Sequence, residues 1–133
     1  KSYLTSLTGQ QLDWPKKDLS YLPEGSLVIL NMHAPSWNRI SPDGNIRNAA
    51  QLKEVLKNYN VHVFSGHTHF FQNNEVSPVL YEHNIGAACG GWWTGWVNQC
   101  GAPNGYMVVD VDGNDLKWHY KGTRRDFSYQ FGI

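Results

Sequence analysis

Val61-His62-Val63-Phe64-Ser65-Gly66-His67-Thr68-His69 is the stretch on which the fold of this chain turns. Val61, Val63 and Phe64 favour a pleated, covered backbone, so 61–65 is expected to be a buried strand. Gly66 permits a sharp turn or a close backbone approach, and two imidazoles two residues apart follow it. Open α/β sheets collect their ligand-handling groups just past the carboxyl ends of strands. Neutral imidazoles there suit borderline divalent metals such as zinc, manganese or iron. Taken alone, a His-x-His pair is more often two partly exposed turn histidines than a metal site.

An earlier stretch is built the same way. Leu27-Val28-Ile29-Leu30 is a continuous apolar run, as expected of a strand covered on both faces, and it leads into Asn31-Met32-His33-Ala34-Pro35. Pro35 biases Ala34 to an extended backbone and cannot continue a central strand, so the chain leaves the sheet there. Between the two runs, residues 48–59 place Ala49, Leu52, Val55, Leu56 and Tyr59 on one helical face, with Asn45 or Asn48 as cap. Strand, helix and strand make a βαβ unit with parallel neighbours. Parallel strands end on the same side, so His33, His67 and His69 are expected to meet at one sheet edge.

At these residues the chain resembles the calcineurin-like metallophosphoesterases. Asn31-Met32-His33-Ala34-Pro35 is similar to their His-x-Pro block, and Gly66-His67-Thr68-His69 to their closing Gly-His-x-His block, in the family's order with a helix between. Upstream, Gln10-Gln11-Leu12-Asp13-Trp14 and Asp18-Leu19 resemble the helix that often precedes the first of these strands. Downstream, the stretch from Gly86 to Gly95 and Pro103-Asn104-Gly105-Tyr106 resemble bacterial, often exported members with an extra C-terminal region, which implies an extracytoplasmic location. The family's Asp-x-His, Gly-Asp and Gly-Asn-His blocks do not occur in this sequence. In the family those blocks supply a bridging aspartate, further metal ligands and the histidine that protonates the leaving group. The chain, beginning at Lys1, is therefore expected to be the C-terminal part of a larger enzyme, with the N-terminal half as its natural partner. No catalytic general acid is assigned among its own residues.

The resemblance implies an α/β fold: the C-terminal half of the metallophosphoesterase sandwich, with the βαβ unit, antiparallel strands and a hairpin. Residues 1–121 would form this portion of the catalytic domain, and 122–133 an exit segment or the start of a following region. It also implies a phosphoester substrate hydrolysed by water activated at two divalent cations (Mn, Fe or Zn). His33 and His67 would hold one ion and His69 the other. Occupancy would be partial or nil in this chain, and the chain alone inactive. Apolar surface left where the other half would pack is an expected route to self-association.

Composition sets outer bounds. One compact domain is affordable in 133 residues that are 41% hydrophobic and 14% aromatic. Eleven basic residues balance eleven acidic ones, which argues against nucleic-acid binding through counterion release. No apolar run approaches the roughly 20 residues of a membrane helix.

The remaining segments are read more simply. Pro15 is tolerated in a first turn, so a helix is expected to begin near Trp14. Residues 34–47 should be a loop leaving the metal edge. There Arg39 or Arg47 is a candidate phosphate contact and Trp37 a candidate pocket wall. Phe70–Glu75 suggests a strand or its entry with an Asn73-Asn74 turn, and Val79–His83 another strand. Trp92, Trp93 and Trp96 lie in the glycine-rich stretch 86–105, where indoles either wall a binding cleft or cover the core. Cys89 and Cys100 in the same stretch could pair, although two thiols are the default. Tyr106–Val111 and Leu116–Tyr120 read as a hairpin closed by Asp112-Gly113-Asn114-Asp115. His62, His83 and His119 are read as structural or surface histidines.

Two other functions fit the residues. One is a mononuclear zinc hydrolase built on His33, His67 and His69. The other is a non-catalytic module whose tryptophan-rich loop binds carbohydrate or a protein partner.

Overall fold

The two apolar runs become strands β1 (Leu27–Asn31) and β2 (Asn60–Ser65), paired in parallel with Val28 beside Val61 and Leu30 beside Val63. A computed structural model describes residues 5–89 and 95–129. Helix α2 (Ala49–Leu56) crosses between the strands and is shorter than the expected 48–59. Its last residues are needed elsewhere: Asn58 accepts the Gly25 amide at 2.7 Å, and β2 already begins at Asn60. Asn48 occupies the cap position without capping. Its side chain instead accepts the Leu7 amide at 3.0 Å and donates to the Leu7 carbonyl at 2.8 Å, fastening the N-terminal segment to the helix start.

Helix α1 (Gly9–Leu19) runs straight through Pro15, so the expected start near Trp14 is corrected. Thr8 and Gln11 form a reciprocal capping box, with Thr8 Oγ1 accepting from Gln11 N at 3.2 Å and Gln11 Oε1 from Thr8 N at 2.9 Å. Leu12 and Leu19 pack into the core beside α2. Capping and burial together outweigh the one backbone bond that the proline ring removes.

Strands β3 (Gln72–Ser77) and β4 (Leu80–Asn84) complete a four-stranded sheet in the order β1-β2-β4-β3. β4 is parallel to β2, and β3 antiparallel to β4. Asn73 and Asn74 lie within β3, so the Asn-Asn turn is corrected: the chain reverses at Pro78-Val79. Asn74 is buried and donates to Gln72 Oε1, an in-strand use that local turn propensity does not capture.

One sheet face is apolar. Val28, Leu30, Val61, Val63 and Leu80 pack there with Leu19, Leu52 and Leu56. The other face carries His62 and His83, whose rings stack at 5.2 Å and face Trp118. Trp118 comes from the second of two hairpin strands, β5 (Gly105–Asp112) and β6 (Asp115–Gly122). A smaller cluster of Phe71, Ala102 and Tyr120 joins the hairpin base to the segment after the site. The mixed α/β sheet with an attached antiparallel hairpin matches the expected fold class.

The hairpin turn is Gly113-Asn114, with Gly113 at φ +59°, a conformation that suits glycine. Asn114 reaches across to the start of β1, accepting from Leu27 N at 2.8 Å and donating to Gly25 O at 2.9 Å. Asn114→Ala is expected to lower stability by about 1–2 kcal/mol, read as a reduced urea midpoint with unchanged slope. An unaltered midpoint would show that this clasp contributes nothing.

Candidate functional site

The site lies at the carboxyl edge of β1 and β2. Met32 N donates to Phe64 O at 2.9 Å and Gly66 N to His33 O at 3.0 Å, so parallel pairing continues past both strand ends. This zips the two turns together and sets His33 Nε2 at 3.1 Å from His67 Nδ1, with ring centroids 5.0 Å apart. His69 lines the same cleft, about 360 Å³ in volume, with Asn31, Gly86 and Ala87 among its other walls.

The sharp turn after β2 is made by the histidines and not by the glycine. His67 and His69 have φ of +67° and +57°, a region that costs non-glycine residues of order 1–3 kcal/mol and gathers at functional sites. Gly66 has room for a Cβ, its nearest neighbour being His33 O at 3.8 Å. Thr68 N donates to Gly66 O at 2.7 Å, tightening the loop between the two rings.

Burial, and then the charges of His33 and His69, hold the His67 pKa below the usual imidazole value. A neutral ring keeps a lone pair available to a cation. Two nitrogens at ~2.0–2.1 Å from one tetrahedral ion lie roughly 3.3–3.4 Å apart. The 3.1 Å between His33 Nε2 and His67 Nδ1 is close to that. The pair therefore fits part of a metal site. Among the described residues, no group of three or more His, Cys, Asp or Glu side chains is gathered to hold a metal ion.

Other expected site residues are placed elsewhere. Trp37 is half-buried and packs against the apolar core. Arg39 is exposed, its backbone amide held by Gln72 Oε1 and its Nε donating to Asn74 Oδ1 at 2.8 Å, both on β3. Neither lines the histidine cleft. Trp92 and Trp93 lie outside the described residues. Trp96 is exposed, with the Arg124 guanidinium 5.2 Å from its ring, in a separate concavity that has no histidine or carboxylate among its described lining residues. Cys89 and Cys100 are not bonded to each other; Cys100 Sγ accepts the Phe71 amide at 3.3 Å.

Behind the histidines lies a buried polar network that sequence reasoning missed. Glu82 on β4 is fully buried and accepts Ser36 N at 2.6 Å, Trp37 N at 2.7 Å and the Ser65 hydroxyl at 3.2 Å. Burial pushes its pKa up, and these three donors oppose the rise. Asn84 donates to Ser65 Oγ at 2.6 Å and accepts from Asn38, which also donates to Thr68 Oγ1 at 3.3 Å. The available signal was an acid inside an otherwise apolar and aromatic strand run, Val79-Leu80-Tyr81-Glu82-His83.

Residues 82–133 match the family model described as the C terminal of calcineurin-like phosphoesterase. No curated protein and no solved structure matches the chain. No helix among the described residues is long and apolar enough to cross a membrane.

Proposed function

We propose, on the match of residues 82–133 to the C terminal of calcineurin-like phosphoesterase, that the histidine edge is part of the metal centre of a phosphoester hydrolase. The observation that carries this is the 3.1 Å approach of His33 Nε2 and His67 Nδ1 at the ends of two parallel strands. His33 and His67 are assigned to one divalent cation, and His69, across the same cleft, to a second. When bound, such cations supply Lewis-acid stabilisation of a phosphoryl group and activation of water near neutral pH.

The chain's own contribution is placement. Backbone pairing of Gly66 with His33 holds two donors at a spacing one ion can bridge. The left-handed backbone at His67 and His69 accompanies the entry of two side chains, two positions apart, into one cleft. Depression of the His67 pKa keeps that ring a donor rather than a cation at neutral pH.

Calorimetric titration with Co²⁺ tests the assignment. Wild-type chain is expected to bind measurably, and His33→Ala or His67→Ala to weaken binding at least tenfold. His62→Ala, on the opposite sheet face, should retain affinity within about twofold. Equal affinity in all four proteins would remove the assignment.

A further inference from the structure

We infer that Glu82 is a positioning residue, whose carboxylate clamps the turn after β1 to the last residue of β2 so that His33 stands against His67. Its bearing on catalysis rests on the reading above, but the clamp itself is a statement about the fold.

The geometry runs through both strand ends. Glu82 sits beside Val63 in the parallel register, and Asn84 beside Ser65, so β4 points two polar side chains towards the ends of its neighbours. One carboxylate oxygen takes the amide of Ser36 and the other that of Trp37. These amides come directly after the buried Pro35, two residues past His33. The oxygen that takes Ser36 also accepts the Ser65 hydroxyl, one residue before Gly66-His67. His33 is thus tied on its carbonyl side to Gly66 and, three residues on, to Glu82. His33 itself is exposed and is not among the residues packed on the apolar core.

No described lysine or arginine forms an ion pair with this carboxylate. Its solvation comes from two N–H groups and one hydroxyl, an arrangement that fixes the loop tightly because every donor is directional. An amide in its place has one acceptor oxygen and sets an NH₂ group against a backbone N–H. Glu82→Gln therefore releases one end of the clamp while conserving volume.

The test uses NMR and Co²⁺ titration on the full 133-residue chain. The wild type should show an NOE between the His33 and His67 rings, with the Ser36 and Trp37 amides exchanging at least 100-fold more slowly than unprotected amides. Glu82→Gln should lose the NOE, speed both exchanges at least tenfold and weaken Co²⁺ binding 10- to 100-fold. Leu56→Ala, which loosens the core without touching the turns, should keep the NOE. An NOE retained in Glu82→Gln overturns the proposal. Should Glu82→Gln not fold, unprotected Ser36 and Trp37 amides in the wild type overturn it equally, and slow ones support it. Absent Co²⁺ binding by the wild type, with the NOE lost in Glu82→Gln, defeats the metal reading and leaves the clamp standing.

Discussion

Purified by itself and supplied with Mn²⁺, the 133-residue chain is expected to hydrolyse an aryl phosphate no faster than buffer and metal alone. Enzymes of ordinary competence turn over at about 1–10³ per second, so the expected deficit spans many orders of magnitude. The reason lies in what the edge contains. His33 and His67 offer one donor pair and His69 a further imidazole, yet no described group of three acids, histidines or cysteines is gathered for a cation. No Asp-x-His, Gly-Asp or Asn-His pair occurs anywhere in the sequence, so the carboxylate that would bridge two ions is not supplied by the corresponding blocks. Neutral imidazoles also leave the charge of two divalent cations uncompensated, which disfavours double occupancy. Initial rates with and without metal decide the matter. Turnover near one per second that is lost in His67→Ala would show that the chain assembles a complete centre, and the partial-site reading would be wrong.

The second large effect is on stability against acid. His83 is fully buried between Phe64, His62 and Trp118. Burial first, and then the charge of His62, lower its pKa from 6.5 to about 4. The facing polar groups are Asn73 Oδ1, 2.7 Å from His83 Nδ1, and His62 Nδ1, 2.9 Å from His83 Nε2. In the unfolded chain this ring protonates below about 6.5, while in the folded chain it stays neutral until about 4. The unfolded state therefore binds the extra proton in between. Stability is full above pH 6.5 and falls as pH drops towards 4, by about 3 kcal/mol at the bottom of the window. His62, also lowered by burial, adds to the same slope. Glu82 acts in the opposite sense, because its raised pKa favours the folded state where the carboxyl is protonated. Urea titrations at pH 7.0, 6.0 and 5.0 should show midpoints falling in that order. His83→Phe should flatten the trend, whatever its own stability at pH 7. Equal wild-type midpoints at pH 7.0 and 5.0 would sink the account.

Much of the candidate site's placement is legible in the sequence. Two apolar runs separated by one amphipathic helix can hardly be joined except as parallel neighbours, and parallel strands must release their histidines on one side. That inference needs only chain direction, which is why His33, His67 and His69 line one cleft. The hairpin was legible for a similar reason, since Gly113 at a two-residue turn and the flanking β-formers act over a few residues.

Errors arose where a local preference met a distant partner. Pro15 favours a helix start, but the capping box of Thr8 and Gln11, seven and four residues earlier, and burial of Leu12 and Leu19 carry the helix through it. The Thr8-x-x-Gln11 pattern was there to be read. Asn73-Asn74 favours a turn by residue type, whereas pairing with His83 and Glu82 holds both residues extended. Asn45 and Asn48 both suit a helix cap by residue type, yet Asn48 serves Leu7 and Asn45 the backbone of Asn38.

By itself, the sequence determined the βαβ unit with its parallel pair, the hairpin, and the edge at which three imidazoles emerge, because hydrophobic periodicity and chain polarity are local properties. Only the tertiary structure decided how far apart those imidazoles stand, that the strained backbone falls on His67 and His69, and that a buried glutamate on β4 braces the turn after β1 against the last residue of β2. Those features depend on contacts of 2.6–3.2 Å between residues 17 to 46 positions apart, and no pattern along the chain encodes such spacing.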